Sequence, residues 1–338
     1  MFKRIWNVFV ARNREFYRDK AGLSWNILFP LFIIIGFGLM FGGSSQDMFK
    51  AGVVGDSDQA RKFRSVKYVD FVSFATRQEG ENKLYHHKID LLYDASTNEY
   101  SVNATSPKGY LCEALLKFSL LEKKDPDGLR KRTFEKKEIP YIEWLFPGII
   151  AMNIMFSALF GVGFVLVRYR KNGVLKRFSV TPLRAWEFLT AQVVSRMFVI
   201  VCTTVFLFFV VKLIYGFRCE GSYLTLALVF YSGAFAMISV GLVIASRFAS
   251  EEITDGILNF MTWPMMFLSE VWFSLEGAAD WVKTASKFSP LTHVTDGARR
   301  IMNEGAGLYD VRYNISILLG TGVVLLVIGS LLFRWDKK

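Results

Sequence analysis

Histidine and cysteine are scarce, with 3 of each in 338 residues. His86 and His87 are neighbours and so point to different faces of a helix or strand, while His293 stands far from both. Without a cysteine cluster beside them, no metal site is expected. Cys202 falls inside an apolar run. Cys112 and Cys219 share one side of the topology argued below, so one disulfide is compatible with the sequence, although nothing in the spacing requires it. The chain also lacks a GxxxxGK[ST] segment and therefore has no phosphate-binding loop of its own. Residues 44–143 offer no recognisable nucleophile with a nearby base, which leaves a hydrolase reading with little support.

Apolar residues are abundant and arrive in blocks. They make up 52% of the chain, with 32 phenylalanines. Residues 23–43, 144–167, 222–246 and 314–333 carry no charge, each over about one bilayer thickness. Residues 190–211 hold one charge, Arg196, with Lys212 following, and residues 256–275 contain Pro264 and Glu270. The pattern predicts an integral membrane protein with six spans. The run starting at residue 23 is too long for a signal-peptide core and should remain as an anchor.

Charge supplies the orientation. The whole net charge of +11 sits in residues 1–20, in the loop 168–189 and in the tail 334–338. The positive-inside bias places all three, and both termini, in the cytoplasm of a plasma membrane or bacterial inner membrane. The high isoelectric point therefore reports topology, and no nucleic-acid partner is expected.

Residues 1–22 read as a helix on the membrane surface, because Phe2, Ile5, Trp6 and Phe9 recur at helical spacing among basic residues. The same residues would serve as a plain basic anchor. The only large hydrophilic segment is 44–143. Strand-like runs at 51–54, 68–74, 89–93 and 100–103 alternate with helical patterns around 77–87 and 109–121, which predicts a small extracytoplasmic α/β domain. Such a domain could receive a periplasmic partner. Residues 122–138, dense in mixed charge, read as a linker or a solvated helical stalk. Residues 144–338 hold the five further spans. The fifth is interrupted by Pro264, and the amphipathic stretch after it suggests a re-entrant hairpin over 276–303 that dips in from the outer face.

The most informative segment is VRYRKNGVLKRFSVTPLRAWEFL, residues 167–189. It is a short basic loop between two apolar runs, with Val174, Leu175 and Phe178 at helical spacing and Pro182 as a stop. A helix with an apolar stripe and a basic rim is a ready contact for a soluble partner. The bland alternative is that its charges only enforce topology.

The chain resembles the permease subunits of type-2 ATP-binding-cassette exporters. Three segments carry the likeness: FPGIIAMNIMFSALFGVGF running into the basic loop, WPMMFLSEVWFSLEGAADWV, and FSPLTHVTDGARRIM. The order of parts also matches: surface helix, span, outer domain, five spans. The sequence departs from the family pattern at Tyr169 to Asn172, which supply no acid before Gly173, and at Glu270 and Ser274, where Gly and Pro are common.

The resemblance implies a six-span all-α bundle that works as one half of a dimer, homodimeric or heterodimeric. A separate ABC ATPase subunit would bind ATP and Mg, and this chain would bind no cofactor itself. The loop would act as a coupling helix, with Gly173, Val174, Leu175, Lys176, Arg177 and Phe178 meeting the ATPase, Leu175 and Phe178 as anchors and Lys176 and Arg177 as rim charges. The implied cargo is an amphipathic, drug-like or lipid-like molecule drawn from the cytoplasm or the lipid of the inner leaflet. Export of a lipid-linked glycan, or a non-transporting mechanotransmission subunit acting on a periplasmic partner, remain alternatives.

Four residues stand out as gate or substrate-pathway candidates. Glu270 is an acid near the outer end of a span, where an ionisable group is either functional or solvated at the interface. Pro264 breaks the same span. Asn259 and Asn153 are neutral polar residues on spans, where packing glue is the competing role. Arg196 reads as snorkelling or pairing with backbone rather than contacting substrate.

Overall fold

The computed structural model describes residues 2–41, 49–86, 88–103, 106–120, 139–248 and 250–335. The expected linker at 122–138 and His87 lie outside them. The chain divides into two compact units, one formed by Met1–Gly42 and Glu138–Lys338, the other by Gly43–Lys137.

The smaller unit is a four-stranded mixed sheet with helices. Strands β1 (Phe49–Val54), β2 (Val69–Phe74), β3 (Leu91–Asp94) and β4 (Glu99–Val102) are ordered β2-β1-β3-β4. The first three are mutually parallel and β4 runs antiparallel to β3. Parallel strands need crossover connections, and the helices α3 (Asp58–Arg64) and α4 (Arg77–Tyr85) supply them. Each begins at a hydroxyl cap: Ser57 Oγ accepts from the Ala60 amide at 3.1 Å and Thr76 Oγ1 from the Glu79 amide at 3.4 Å. Helix α3 went unread in the sequence because only Ala60 and Phe63 of its seven residues face inward. Helix α5 (Pro107–Leu120) packs Cys112 and Leu116 against Val53, Phe63 and Leu91 on one face of the sheet. Val54, Ile89 and Leu92 form a second small core. The three cysteines are free. Burial pushes the Cys112 thiol up to about 12.

The larger unit is helical. Among the described residues, five of its helices are long and apolar enough to cross a membrane. They are α2 (Lys20–Phe41), the continuous rod of α6 (Tyr141–Ala158), a π-helical segment (Leu159–Phe164) and α7 (Val165–Lys171), then α9 (Ala185–Tyr215), α10 (Tyr223–Arg247) and α14 (Leu308–Leu332). An amphipathic α1 (Phe2–Arg18) precedes them, and a short α8 (Val174–Ser179) lies in the basic loop. Helix α10 is central, packing against α14, the π segment, α13 (Pro290–Glu304) and α6.

The expected fifth span is revised. Instead of 256–275, the helix is α11 (Glu251–Leu268), 18 residues that begin with Glu251, Glu252 and Asp255. Ser250 caps it, and its early acids suit the positive end of the helix dipole. At about 27 Å its length approaches one hydrocarbon thickness, but three acids within its 18 residues set it apart from the other five. The chain then reverses at Glu270, which has φ of 54°, passes through α12 (Asp280–Ser286) and returns along α13. Leu291, Val294, Ala298 and Ile301 bury one face of α13.

Hydroxyls pin this hairpin. Ser269 and Ser289 share a hydrogen bond at 2.8 Å, Thr292 donates to Ser269 Oγ at 2.9 Å, and Thr295 donates to the Ser269 carbonyl at 2.7 Å. Asn314 of α14 donates to the His293 carbonyl at 3.0 Å and to Asp296 at 2.8 Å. Interhelical polar contacts in membranes average about 0.6 kcal/mol each, so they orient helices that packing holds together.

Candidate functional site

The basic loop is built on its own core. Gly173 has φ of 69°, a left-handed turn that lets α8 leave α7 at an angle. Leu175, expected as an anchor for a partner, is fully buried within the helical unit. Phe178 meets the Phe188 ring at 5.5 Å, and Phe188 in turn meets Trp335 at 5.4 Å. The apolar stripe of α8 therefore fixes the loop to its own bundle, and Val174 is half-buried. The outward face consists of Lys176, Arg177, Ser179 and Val180, the last 85% exposed. Periodicity showed a stripe but could not show which body the stripe faces.

Several charges stitch the loop to neighbouring elements. Arg4 of α1 donates to the Pro182 carbonyl at 2.5 Å and pairs with Glu187 at 3.4 Å. Glu187 also accepts from the Arg184 amide at 2.9 Å, closing the first turn of α9. Arg170 donates to the carbonyls of Ala245 and Phe248 at 3.0 and 2.7 Å, filling acceptors that the end of α10 leaves free. Lys171 pairs with Glu251 at 2.7 Å. The residues flanking α8 are thus tied to α1, α9, α10 and α11.

A second feature lies within the span bundle. The π segment interrupts the rod α6–α7, and such segments leave carbonyls without their usual helical partners. Two arginines take them up. Arg12 of α1 donates to the Gly161 carbonyl at 3.2 Å, and Arg196 of α9 donates Nε to the Ser157 carbonyl at 2.6 Å and Nη2 to Ser157 Oγ at 2.7 Å. A β-carbon at Gly161 would fall 2.0 Å from the Arg196 guanidinium, so glycine is required for this approach. Arg196 is only 7% exposed and does not snorkel; it pairs with backbone, one of the two roles expected of it.

Beside this junction is a cavity of about 370 Å³ lined by residues of α2, α6, the π segment and α9. Trp25 and Phe29 form one aromatic wall, with rings 5.2 Å apart, and Phe156 and Phe160 another, 5.9 Å apart. Asn26, Asn153, Ser157 and Arg196 contribute the polar groups.

The four pathway candidates do not converge. Asn153 lines this cavity and is 6% exposed. Asn259 and Pro264 remain on α11, where Asn259 Nδ2 bonds the Asp255 carbonyl one turn back at 3.0 Å and Pro264 is exposed. Glu270 forms the hairpin turn: its Oε1 accepts from the Leu275 amide at 3.0 Å and its Oε2 pairs with Arg299 at 3.4 Å. The π segment, and its meeting with Arg196, are the parts of the site that sequence reading missed. Gly161 and Gly163, a close glycine pair inside an apolar run, were the available signal.

Comparison with known proteins agrees with this architecture. The profile described as ABC-2 family transporter protein matches residues 20–331. The daunorubicin resistance ABC transporter permease protein DrrB1 of Streptomyces coeruleorubidus is 25% identical over 203 residues, 57% of this chain and 69% of that protein. The inner membrane transport permease YhhJ of Escherichia coli K12 is 27% identical over 192 residues, 56% of this chain and 51% of YhhJ. The probable multidrug ABC transporter permease YbhR of the same organism is 23% identical over 187 residues, 54% of this chain and 50% of YbhR. The chain thus spans about half the length of the last two.

Proposed function

Because the chain belongs to the ABC-2 family of transporter proteins, we propose that this permease is one half of an ATP-driven exporter of amphipathic, drug-like or lipid-like molecules. The observation that carries the reading is the basic loop. Its helix α8 is locked inward by Leu175 and Phe178 and turns Lys176, Arg177 and Val180 outward, the form of a lever that a soluble partner can push without unfolding it. That partner is an ABC ATPase subunit in the cytoplasm, which supplies the phosphate-binding loop, ATP and Mg that this chain has no motif to hold. The stroke passes from α8 through Arg4, Arg170 and Lys171 to α1, α10 and α11. It shifts the bundle between two states of unequal substrate affinity, since equal affinity would move nothing.

In this reading α11 is a short sixth crossing that the α12–α13 hairpin completes from the outer face. Both termini are cytoplasmic, and the sheet unit is extracytoplasmic. A second permease half covers the apolar face of α11, where Ile253, Phe260, Trp263 and Phe267 are uncovered. Resemblance to proteins named for drug resistance and multidrug transport supports the cargo class.

The test is ATPase activity of the chain co-purified with its ATPase in proteoliposomes. The double variant Arg177→Glu, Val180→Asp changes only outward-facing side chains. It should retain the wild-type melting temperature and lose association and stimulated hydrolysis by at least about tenfold, roughly 1.4 kcal/mol. Unchanged association would remove α8 from the coupling role. A sheet unit that captures a periplasmic protein while no cargo moves would favour mechanotransmission.

A further inference from the structure

An ion buried in a span costs roughly 2.5–3.5 kcal/mol at the bilayer centre on insertion scales, and such groups pair with one another or with backbone carbonyls, commonly beside a cavity. Arg196 takes the second course on the Ser157 carbonyl; no carboxylate pairs with it among the described residues. Its Nε and Nη2 are spent on Ser157, while Nη1 has no acceptor in the described residues and the side chain lines the cavity. The nearest compensation is the face of Phe16, whose ring centroid lies 5.4 Å from the guanidinium carbon. Arg12, held on the adjacent Gly161 carbonyl, carries its own counter-charge in Glu15 at 2.8 Å and so leaves Arg196 as the cation without a carboxylate among the described residues.

Asn153 repeats the pattern with a neutral group. It is 6% exposed, lines the cavity, and makes no hydrogen bond among the described residues. The free polar atoms of Asn153 and Arg196 are not sealed in, and both side chains line the same space, so they can reach a polar group that enters it.

The remaining walls describe the other end. Trp25 with Phe29, and Phe156 with Phe160, flank the space with flat apolar surface. A volume of about 370 Å³ lies within the range of small-molecule pockets. Arg196 stands about 16 Å along α9 from Ala185, and Asn26 about 9 Å along α2 from Lys20, which puts the cavity on the basic-loop side of the bundle. A ligand entering from that leaflet would bring its polar head in at this level.

We propose that this cavity binds an amphiphile with a single acidic headgroup, a phosphate or carboxylate paired with Arg196 and hydrogen-bonded by Asn153, its apolar body held between the two aromatic walls. The proposal names the cargo chemistry of the exporter and rests on that reading only for the word cargo, because binding itself needs neither ATP nor the ATPase. Planar guanidinium matches the two oxygens of an acidic head. A cationic amphiphile would place a second positive charge beside Arg196 and is rejected.

The test uses the full chain in phosphatidylcholine nanodiscs, titrated separately with dodecyl phosphate, dodecylphosphocholine and dodecyltrimethylammonium. Dodecyl phosphate should bind at least about tenfold more tightly than either of the others. Arg196→Gln retains a donor for Ser157 but removes the charge, and should abolish that preference. Asn153→Leu loses no existing hydrogen bond, should melt like the wild type, and should weaken dodecyl phosphate about tenfold, so it decides the matter if Arg196→Gln fails to fold.

A parallel arm uses phosphatidylglycerol nanodiscs without added amphiphile and native mass spectrometry. Phosphatidylglycerol retained by the wild type and lost by both variants supports the site with a bilayer lipid as its occupant. Absence of retained lipid together with the dodecyl phosphate preference supports it with a single-chain acid. Equal affinity for all three headgroups, or a preference untouched by Asn153→Leu, overturns the proposal and leaves Arg196 as a brace for the π segment. Failure of ATPase coupling would leave these titrations unaffected, so the two readings fall separately.

Discussion

Arg196 and Arg299 are buried to nearly the same degree, 7% and 8% exposed, and the protein treats them differently. Arg299 is satisfied on every side. It pairs with Glu270 at 3.4 Å, donates to the Glu270 carbonyl and, at 3.1 Å, to the Trp144 carbonyl, and lies 3.6 Å from the centre of the Trp144 ring. Among the described residues, Arg196 hydrogen-bonds Ser157 alone and lies near an aromatic face. Charge burial with full compensation is an architectural joint; here it ties α13 to α6 and fixes the turn at Glu270. Charge burial with a spare donor beside a cavity is the observation from which the binding proposal for Arg196 starts. The sequence reading made Glu270 the gate or pathway candidate and gave Arg196 a snorkelling or backbone-pairing role, the second of which the Ser157 carbonyl fulfils.

The largest effect should come from the compensated joint. Arg299→Leu leaves Glu270 without its partner and frees the Trp144 and Glu270 carbonyls, and breaking a buried network of this kind costs about 2–4 kcal/mol. Thermal melting in detergent should fall steeply, and a melting curve like that of the wild type would erase the distinction between the two arginines.

Next comes Gly161→Ala, whose methyl group would occupy the guanidinium's place. Overpacking of this sort costs about 1–3 kcal/mol. It should lower the melting temperature and displace Arg196, so that headgroup preference in the nanodisc titration is lost along with stability. Retained preference would mean the cation is not held by the π junction.

The smallest effect is expected from Glu270→Gln. The amide oxygen can still accept from Leu275, and the pair it loses is a third exposed on the acid side, with a side-chain exposure of 34%. Stability should move by less than about 1 kcal/mol, while the rate of cargo export in proteoliposomes changes if the hairpin turn is also the outer gate. Export at the wild-type rate would confine Glu270 to architecture.

Much of this fold was readable from residue order alone. Apolar blocks announce the spans because hydrocarbon tolerates only helices with internally satisfied backbones. The amphipathic α1, the alternation of strands and helices in the sheet unit, and a short helix in the basic loop were legible through periodicity. The limits of α11 were not, because three acids and a proline blur a hydropathy window, and its end is set by hydroxyls on α13 that lie twenty or more residues away. Helix α3 was too short and too polar to show a period.

The sequence by itself determined the class of the protein: its span composition, the concentration of positive charge in three short segments, and the absence of a phosphate-binding loop. These are sums or local runs, and no folding is needed to evaluate them. Tertiary structure alone decided the direction of the α8 stripe, the compensation of Arg299, and the meeting of Trp25, Asn153 and Arg196 around one cavity. Each depends on which helix stands beside which, and a helical period of 3.6 residues states that a face exists without stating what it will meet.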